Sequence, residues 1–300
     1  MKVIYGINKI KKFKKPVLAM GVFDGVHLGH REILEAAVET ARKIKGTSIA
    51  LTFWPHPQKQ ESLYSLEHRL RLISELGIDS CIVINFNRNF SEIKAEDFIR
   101  NVLVDKICVE YVYVGNDFKF GKNIKGDLKL LEHLGRIYNF KAKGFRIIKS
   151  QGKPVSSTLI RGLVKKGEIV KAQGFLDRPV SILGTVVRGT SLGRILGFPT
   201  ANINPHHEVI PATGIYAVRV VVGKNKLIGV CYIGTKPTVV VANKRINIEV
   251  HILNFHKNIY GKYLEIQFVE KIRPDEKFSS LALLTLQIKK DVASAKKILS

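Results

Sequence analysis

Gly21-Val22-Phe23-Asp24-Gly25-Val26-His27-Leu28-Gly29-His30 is the stretch that decides the fold. An apolar run, Pro16 to Met20, leads into it. An amphipathic run follows, with Ile33, Ala37, Ala41 and Ile44 spaced four, four and three apart, one face of a helix. His27 and His30 therefore sit at a strand-to-helix turn. Gly21, Gly25 and Gly29 let the backbone turn sharply and approach a ligand closely. A helix start offers unpaired N–H groups and a positive dipole end, which suit a phosphate. Imidazoles placed there can donate hydrogen bonds to phosphate oxygens that gain charge during reaction. The combination predicts a nucleotidyl-transfer site. The competing reading is a partial zinc site, but zinc takes three or four ligands, and no Cys or third His lies nearby in sequence.

Outward from this stretch, residues 1–150 alternate between strand-like and helical runs. Ser48 to Trp54, Ser80 to Phe86 and Val109 to Gly115 read as strands. Leu66 to Leu76, Ala95 to Lys106 and Asp127 to Tyr138 read as helices, and Lys141 to Lys149 as extended chain. Such alternation predicts a Rossmann-like α/β domain with a parallel sheet, whose ligands bind at the carboxyl ends of the strands. Two further segments fall there. Thr52-Phe53-Trp54-Pro55-His56-Pro57 ends one strand, with two prolines stiffening a turn that presents His56. Tyr113-Val114-Gly115-Asn116-Asp117-Phe118-Lys119-Phe120-Gly121 ends another. Ser156-Ser157-Thr158-Leu159-Ile160-Arg161 then opens a helix running through Lys166. Ser157 and Thr158 can cap that helix, and Arg161, one turn in, can neutralise a polyphosphate.

Gly174 to Pro179 reads as a linker, and from Val180 the pattern changes. Short alternating strands appear at Ser181–Arg188, Ile215–Val222, Lys226–Ile233, Ile246–Leu253 and Tyr263–Val269, followed by an amphipathic helix over about Ser279–Leu299. This predicts a small antiparallel β-barrel with a terminal helix, and domains of residues 1–177 and 178–300. The second domain carries its own glycine-rich run, Gly189-Thr190-Ser191-Leu192-Gly193-Arg194-Ile195-Leu196-Gly197-Phe198-Pro199-Thr200-Ala201-Asn202. Its glycines permit backbone N–H groups to cradle phosphate, and Thr200 and Asn202 supply oxygens suited to Mg²⁺. No Gly-Lys-Ser/Thr follows, so it is not a Walker A loop. In Ile248-Glu249-Val250-His251-Ile252 the strand period puts Glu249 and His251 on one face, where a carboxylate can take a proton from a substrate hydroxyl.

Composition narrows the partners. With 300 residues, 45% hydrophobic, the chain is long enough for two cored domains. No apolar stretch reaches a membrane span, and no signal-peptide core follows Lys15. Cys81, Cys108 and Cys231 are odd in number and far apart, which fits reduced thiols in the cytoplasm. The net charge is +24, carried by 34 Lys and 15 Arg. Lys dominance favours a solvated surface that steers anions such as ATP over bidentate reading of nucleic acid. No specific nucleic-acid or membrane partner is expected, although two nucleotide pockets do not require so large a surplus.

Taken together, these motifs resemble one family. Phe23-Asp24-Gly25 with His27-x-Gly29-His30 resembles the HxGH nucleotidyltransferases, in the form found in the bifunctional bacterial riboflavin kinase/FAD synthetases. The segments at 52–57, 113–121 and 156–161 are similar to that family's TFxPHP, VGxDFxFG and SSTxIR motifs. The run at 193–202 is similar to its GRxLGFPTAN, and Tyr260-Gly261-Lys262 and Ile272-Arg273-Pro274 match further segments. The resemblance implies that the C-terminal barrel phosphorylates riboflavin with ATP and Mg²⁺, giving FMN, and that the N-terminal domain joins FMN to the AMP part of a second ATP, giving FAD and pyrophosphate. It implies Glu249 as the kinase base, with His27 and His30 catalytic in adenylylation. Gly21, Phe23, Asp24, Gly25, Gly29, Ser157, Thr158 and Arg161 would bind phosphate in the first site. Gly193, Arg194, Gly197, Pro199, Thr200 and Asn202 would do so in the second, with Thr200 and Asn202 on the metal. His56, Pro57, Asp117, Phe118 and Arg273 would meet flavin or nucleotide. Two departures stand out: Lys236 where the family usually has Arg, and Asn254 where a strand-end Asp is usual. A class I aminoacyl-tRNA synthetase relative also carries a HxGH-type motif, but no KMSKS-like segment is present. A non-catalytic flavin- or RNA-binding regulator conflicts with intact motifs at both sites.

Overall fold

The computed structural model describes residues 1–58, 61–189, 192–206, 208–236 and 245–300. Contacts divide the chain into two compact units, one of Met1–Ser62 and Leu66–Ser157, the other of Leu63–Ser65 and Thr158–Ser300.

In the first unit, β1 (Lys2–Tyr5), β2 (Pro16–Met20), β3 (Thr47–Trp54), β4 (Ser80–Asn85), β5 (Tyr111–Gly115) and β6 (Lys141–Phe145) form one sheet in the order β1-β4-β3-β2-β5-β6. Every pairing is parallel. All of β2 and the interior of β3 are buried, as strands covered on both faces must be. The crossovers are α1 (Leu28–Lys43) and α2 (Leu66–Glu75). Next come a short turn α3 (Arg88–Ser91), then α4 (Ala95–Phe98), which runs into a π-helical stretch Ile99–Ile107, and finally α5 (Leu128–Tyr138). The single helix expected over 95–106 thus widens after its first turn while keeping Ile99, Val102, Leu103 and Ile107 in the core. From β2 the chain steps to β3 and β4 on one side, then returns to lay β5 on the other. The order reverses at β2, so the carboxyl end of β2 is the switch point where such sheets bind ligands. Residues 21–30 begin there.

A two-stranded ribbon, β7 (Lys149–Ser150) and β8 (Lys153–Pro154), precedes α6 (Ser157–Lys166) and α7 (Ile169–Leu176). The segment read as a linker from Gly174 is in part helix. Ala172, Phe175 and Leu176 of α7 are buried, and the helix ends only at Asp177 in a left-handed conformation. The Gln173 side-chain amide donates to the carbonyls of Phe268 and Val269 at 3.0 and 3.1 Å. This anchors α7 on the barrel and leaves Asp177–Pro179 as the turn between them.

The barrel comprises β9 (Val180–Val187), β10 (Ala201–Pro205), β11 (Gly214–Val222), β12 (Asn225–Lys236), β13 (Arg245–Ile252) and β14 (Tyr263–Arg273). It closes in the order β10-β13-β12-β11-β14-β9, with all pairings antiparallel. A single helical turn, α8 (Leu192–Ile195), precedes β10, and α9 (Leu281–Leu299) packs Ala295 and Leu299 against Ile215, Ala217 and Val230. Residues 63–65 belong to this unit because buried Glu208 holds them. Its Oε1 accepts from the Ser65 N–H and hydroxyl at 3.0 and 2.7 Å, and its Oε2 from the Leu183 N–H at 2.9 Å. Thr190, Ser191, Pro237 and Thr238, which the sequence placed in the glycine-rich run and beside the Lys236 departure, lie outside the described residues.

Candidate active sites

The first site grows from the loop between β2 and α1. Gly25 carries a φ of 85°, and two non-glycines join it in the left-handed region, Phe23 at 52° and Val26 at 40°. A β-branched residue there is strained, and such strain persists only where the surroundings over-determine it. Here they do. The Val22 carbonyl accepts from the Thr52 hydroxyl at 2.7 Å and from Arg69 Nη1 at 2.9 Å. The Asp24 carbonyl accepts from the Ser157 hydroxyl at 2.7 Å. The Asp24 carboxylate lies 3.4 Å from Arg69 Nη2, both side chains being buried. Phe23 folds back so closely that a Cβ on Gly21 would lie 2.9 Å from its ring.

This bracing presents the histidines. His27 is the N-cap of α1, and its Nδ1 accepts the His30 N–H at 3.4 Å. With Nδ1 an acceptor, the proton of a neutral His27 ring sits on Nε2. The two imidazoles stack with centroids 3.6 Å apart and planes 16° from parallel, and Phe23 meets His30 edge-on at 5.4 Å. The outcome is a pair of stacked imidazoles at a helix N-terminus.

Arg69 was not singled out in the sequence. Its signal was an arginine in the apolar stripe of α2, three, four and seven residues before Leu72, Ile73 and Leu76. Burial lowers its affinity for a proton, and Asp24 opposes that effect. Removing one partner of a buried ion pair typically costs about 3–5 kcal/mol because the other charge is stranded. Arg69→Met is therefore expected to lower the unfolding transition of the first unit by several degrees in a thermal melt. A transition unchanged from wild type would show that the brace is dispensable.

Around the carboxyl ends of the neighbouring strands, His56 and Pro57 are half-buried after β3, and His56 Nδ1 accepts the Gln58 N–H at 3.2 Å. After β5, Asp117 is exposed and Phe118 half-buried, stacked on buried Phe120 at 5.9 Å. Phe120 belongs to the core, and Phe118 packs against it. Ser157 is already the first residue of α6, so its hydroxyl serves Asp24 rather than capping from outside. Thr158 is exposed and Arg161 half-buried, and both fall in the second unit.

The second site is assembled by barrel register. β10 lies beside β13 with Asn202 opposite Glu249, and Tyr232 of β12 faces Glu249 from the other side. Two residues that are 49 apart in sequence meet: the Thr200 hydroxyl donates to Glu249 Oε2 at 3.0 Å. Asn247 Nδ2 donates to Oε1 at 2.7 Å. His251, on the same face as Glu249, places Nδ1 2.9 Å from the Pro199 carbonyl and turns its ring edge to Phe198. The glycine-rich run tightens around these groups. A Cβ on Gly189 would lie 2.0 Å from the Asn202 amide nitrogen. Gly193 to Phe198 closes as one turn, the Phe198 N–H donating to the Gly193 carbonyl at 2.7 Å. Arg194, Gly197 and Pro199 are exposed beside it. Tyr232 donates to Asp275 Oδ2 at 3.3 Å, and burial together with that carboxylate pushes its phenol up to about 12. Thr200, Asn202 and Glu249 form a hard-oxygen set, the donor type that Mg²⁺ takes alongside water and substrate phosphate. Arg273 stands apart. Its guanidinium is bidentate with Asp291 of α9 at 2.9 and 2.8 Å and lies over Phe278, and that carboxylate holds its proton more firmly than usual.

Comparison with known proteins gives a consistent picture. A family model for FAD synthetase matches residues 9–159, and one for riboflavin kinase matches residues 176–299. The bifunctional riboflavin kinase/FMN adenylyltransferase of Buchnera aphidicola subsp. Schizaphis graminum is 36% identical over 307 residues, covering 99% of this chain and 98% of that protein. The Escherichia coli (strain K12) protein of the same description is 36% identical over 306 residues, covering 99% and 97%. A solved structure from Streptococcus pneumoniae, described as a macrolide-efflux protein, superimposes with a TM-score of 0.87 at 25% identity and covers 99% of both chains. That description belongs to that protein. Among the described residues here, no helix is long and apolar enough to cross a membrane.

Proposed function

The chain belongs to the bifunctional riboflavin kinase/FMN adenylyltransferase family, and on that premise we propose how its residues divide the work. It phosphorylates riboflavin with ATP to give FMN and ADP, and it adenylylates FMN with ATP to give FAD and pyrophosphate. Residues 1–177 are assigned the second reaction and 178–300 the first. The observation that supports the assignment is the Thr200–Glu249 contact at 3.0 Å, which joins the barrel's glycine-rich run to the carboxylate of β13.

In the kinase site Glu249 accepts the proton of the riboflavin 5′-hydroxyl as its oxygen attacks the γ-phosphorus. Backbone and side chains of Gly193, Arg194, Gly197 and Pro199 hold the ATP phosphates. Thr200 and Asn202 are the residues that would hold Mg²⁺, which would neutralise charge on those phosphates. The Thr200 hydroxyl can donate to Glu249 and still offer an oxygen lone pair. Arg273 is assigned to contact flavin or nucleotide, with Asp291 of α9 holding its guanidinium. In the adenylylation site, His27 and His30 donate to α-phosphate oxygens of ATP as the FMN phosphate attacks. Gly21, Gly25 and Gly29 admit the nucleotide, while Phe23 and Asp24 shape the loop. Ser157, Thr158 and Arg161 serve the phosphates, and His56, Pro57, Asp117 and Phe118 the flavin. No covalent enzyme intermediate is required, so catalysis is positioning plus charge neutralisation. The test is product analysis: riboflavin and ATP should yield FMN and then FAD on one chromatogram. Absence of either product from folded protein would sink the division.

The location is assigned to the cytoplasm, where ATP is available; all three cysteines are free thiols, and burial pushes that of Cys81 up to about 12. The Lys-rich surplus of +24 is assigned to solvation and steering of anionic substrates. Binding to duplex DNA or RNA, followed by fluorescence anisotropy across a salt series, is expected to be weak and to vanish at moderate salt. Sequence-specific binding that persists at physiological salt would return nucleic acid to the list of partners.

A further inference from the structure

We infer that Asn247 is a positioning residue for riboflavin phosphorylation, holding the Glu249 carboxylate in the plane from which it meets the substrate hydroxyl. The inference rests on the reading of Glu249 as the base. Asn247 lies two residues before Glu249 in β13, so the strand period puts both side chains on one face. Its Nδ2 donates to Glu249 Oε1 at 2.7 Å, while the Thr200 hydroxyl donates to Oε2 at 3.0 Å. Each carboxylate oxygen is thus tied by one neutral donor from a different direction, one from within β13 and one from the turn before β10.

That arrangement matters for a base on a flexible stem. A glutamate has two side-chain torsions before its carboxylate, and a single tether leaves the group free to swing about it. Two tethers on opposite oxygens fix both the position and the plane. Each carboxylate oxygen has two lone-pair directions, so one remains on each for the incoming hydroxyl. The donors carry no charge and add no ion pair that the substrate must break. Of the two, only Thr200 has a second duty in the proposed metal site; among the described residues, the side-chain hydrogen bond of Asn247 goes to Glu249. Its proposed effect on the reaction is through that carboxylate.

The test is a double-mutant cycle with Asn247→Leu, which keeps the side-chain shape and removes the donor, and Glu249→Gln. A hydrogen bond to a charged group is typically worth about ten- to a hundredfold in an equilibrium constant, and a base positioned by one loses up to that factor in rate when it is removed. Asn247→Leu in the full chain is expected to lower kcat for FMN formation by about that factor, with the riboflavin KM within about twofold of wild type. Asn247→Asp, which has the same shape but sets a second carboxylate beside the first, should fall at least as far. In the Glu249→Gln background, Asn247→Leu should cost less than about twofold, because the group it positions is gone. Conversion of supplied FMN to FAD by the same protein reports an intact fold and should not change. Unchanged kcat in Asn247→Leu overturns the inference, as does a rise in riboflavin KM alone. An equal loss in both backgrounds also overturns it, since that marks a merely structural role. If Glu249→Gln itself keeps the wild-type rate, the reading of the base fails first. If Glu249→Gln is slow while the Asn247 variants match wild type, the base stands and the positioning role alone is lost.

Discussion

Glu249→Gln is expected to slow riboflavin phosphorylation by roughly 10²–10⁴-fold, the span associated with a general base, while FAD still forms from supplied FMN. Glutamine keeps the shape of the side chain and presents one oxygen where the carboxylate presented two. The Thr200 hydroxyl, 3.0 Å from Oε2 in the native site, can still donate to that oxygen, so the turn before β10 retains its anchor. What disappears is an acceptor able to keep a proton, together with the Oε1 acceptor of the Asn247 amide. Riboflavin affinity should therefore change much less than kcat, since an amide still accepts a hydrogen bond from the hydroxyl. The division of labour adds a second expectation. His27, His30 and Ser157 are untouched by the substitution, so adenylylation proceeds. Chromatography of riboflavin, FMN and FAD decides the matter, with the variant supplied once with riboflavin and once with FMN. Wild-type FMN formation would make Glu249 a structural residue. Failure with FMN as well, in protein whose circular dichroism is unchanged, would show that the two activities are not divided between the halves as assigned.

How far the sequence reached depends on the range of each signal. The alternation of apolar runs in residues 1–150 and the shift to short strands after Val180 are local patterns, and the sheet and barrel follow them closely. β10 escaped because it is only Ala201–Pro205 and lies inside a motif whose glycines and prolines read as loop. The run from Gly174 to Pro179 reads as a linker yet begins in helix, for the opposite reason. Its turn formers bracket Phe175 and Leu176, and burial of those two side chains carries the helix on to Leu176. In the sites, residue types were legible and partnerships were not. Nothing local joins Thr200 to Glu249; their meeting depends on which strands of the barrel become neighbours and in what register. Neither Asn247, a polar residue of an alternating strand, nor Arg69, an arginine in an apolar stripe, shows its partner in the sequence. Each acquires a task only from what faces it: a carboxylate 2.7 Å away in one case, a buried aspartate and two backbone carbonyls in the other. Asp24 shows the converse. Its place in the phosphate-site motif is local and legible, while the burial of its carboxylate against Arg69 is not.

His30→Ala carries the corresponding expectation for the first site. Loss of one preorganised donor to a transition-state oxygen typically costs on the order of 3 kcal/mol, which corresponds to a fall of roughly a hundredfold in FAD formation. His30 is the cleaner of the two histidines to remove. The helix-capping bond to His27 Nδ1 is made by the backbone N–H of His30, not its ring, and alanine retains that N–H and favours the helix. His27→Ala, by contrast, deletes the cap together with a ring donor, so its effect mixes helix stability with catalysis. The stack between the rings at 3.6 Å gives His30 a second contribution, since it limits the motion of His27. Part of the loss should therefore appear as looser positioning, and the variant's ATP and FMN KM values should rise only modestly against the fall in kcat. FMN formation from riboflavin, which occurs in the barrel, should match wild type. Steady-state rates for both reactions on one preparation, with circular dichroism to establish the fold, provide the check. A loss of both activities to the same extent in folded protein would contradict a two-site enzyme. An undiminished rate of FAD formation would move the transition-state donors from the β2–α1 loop to some other group at the carboxyl ends of the sheet.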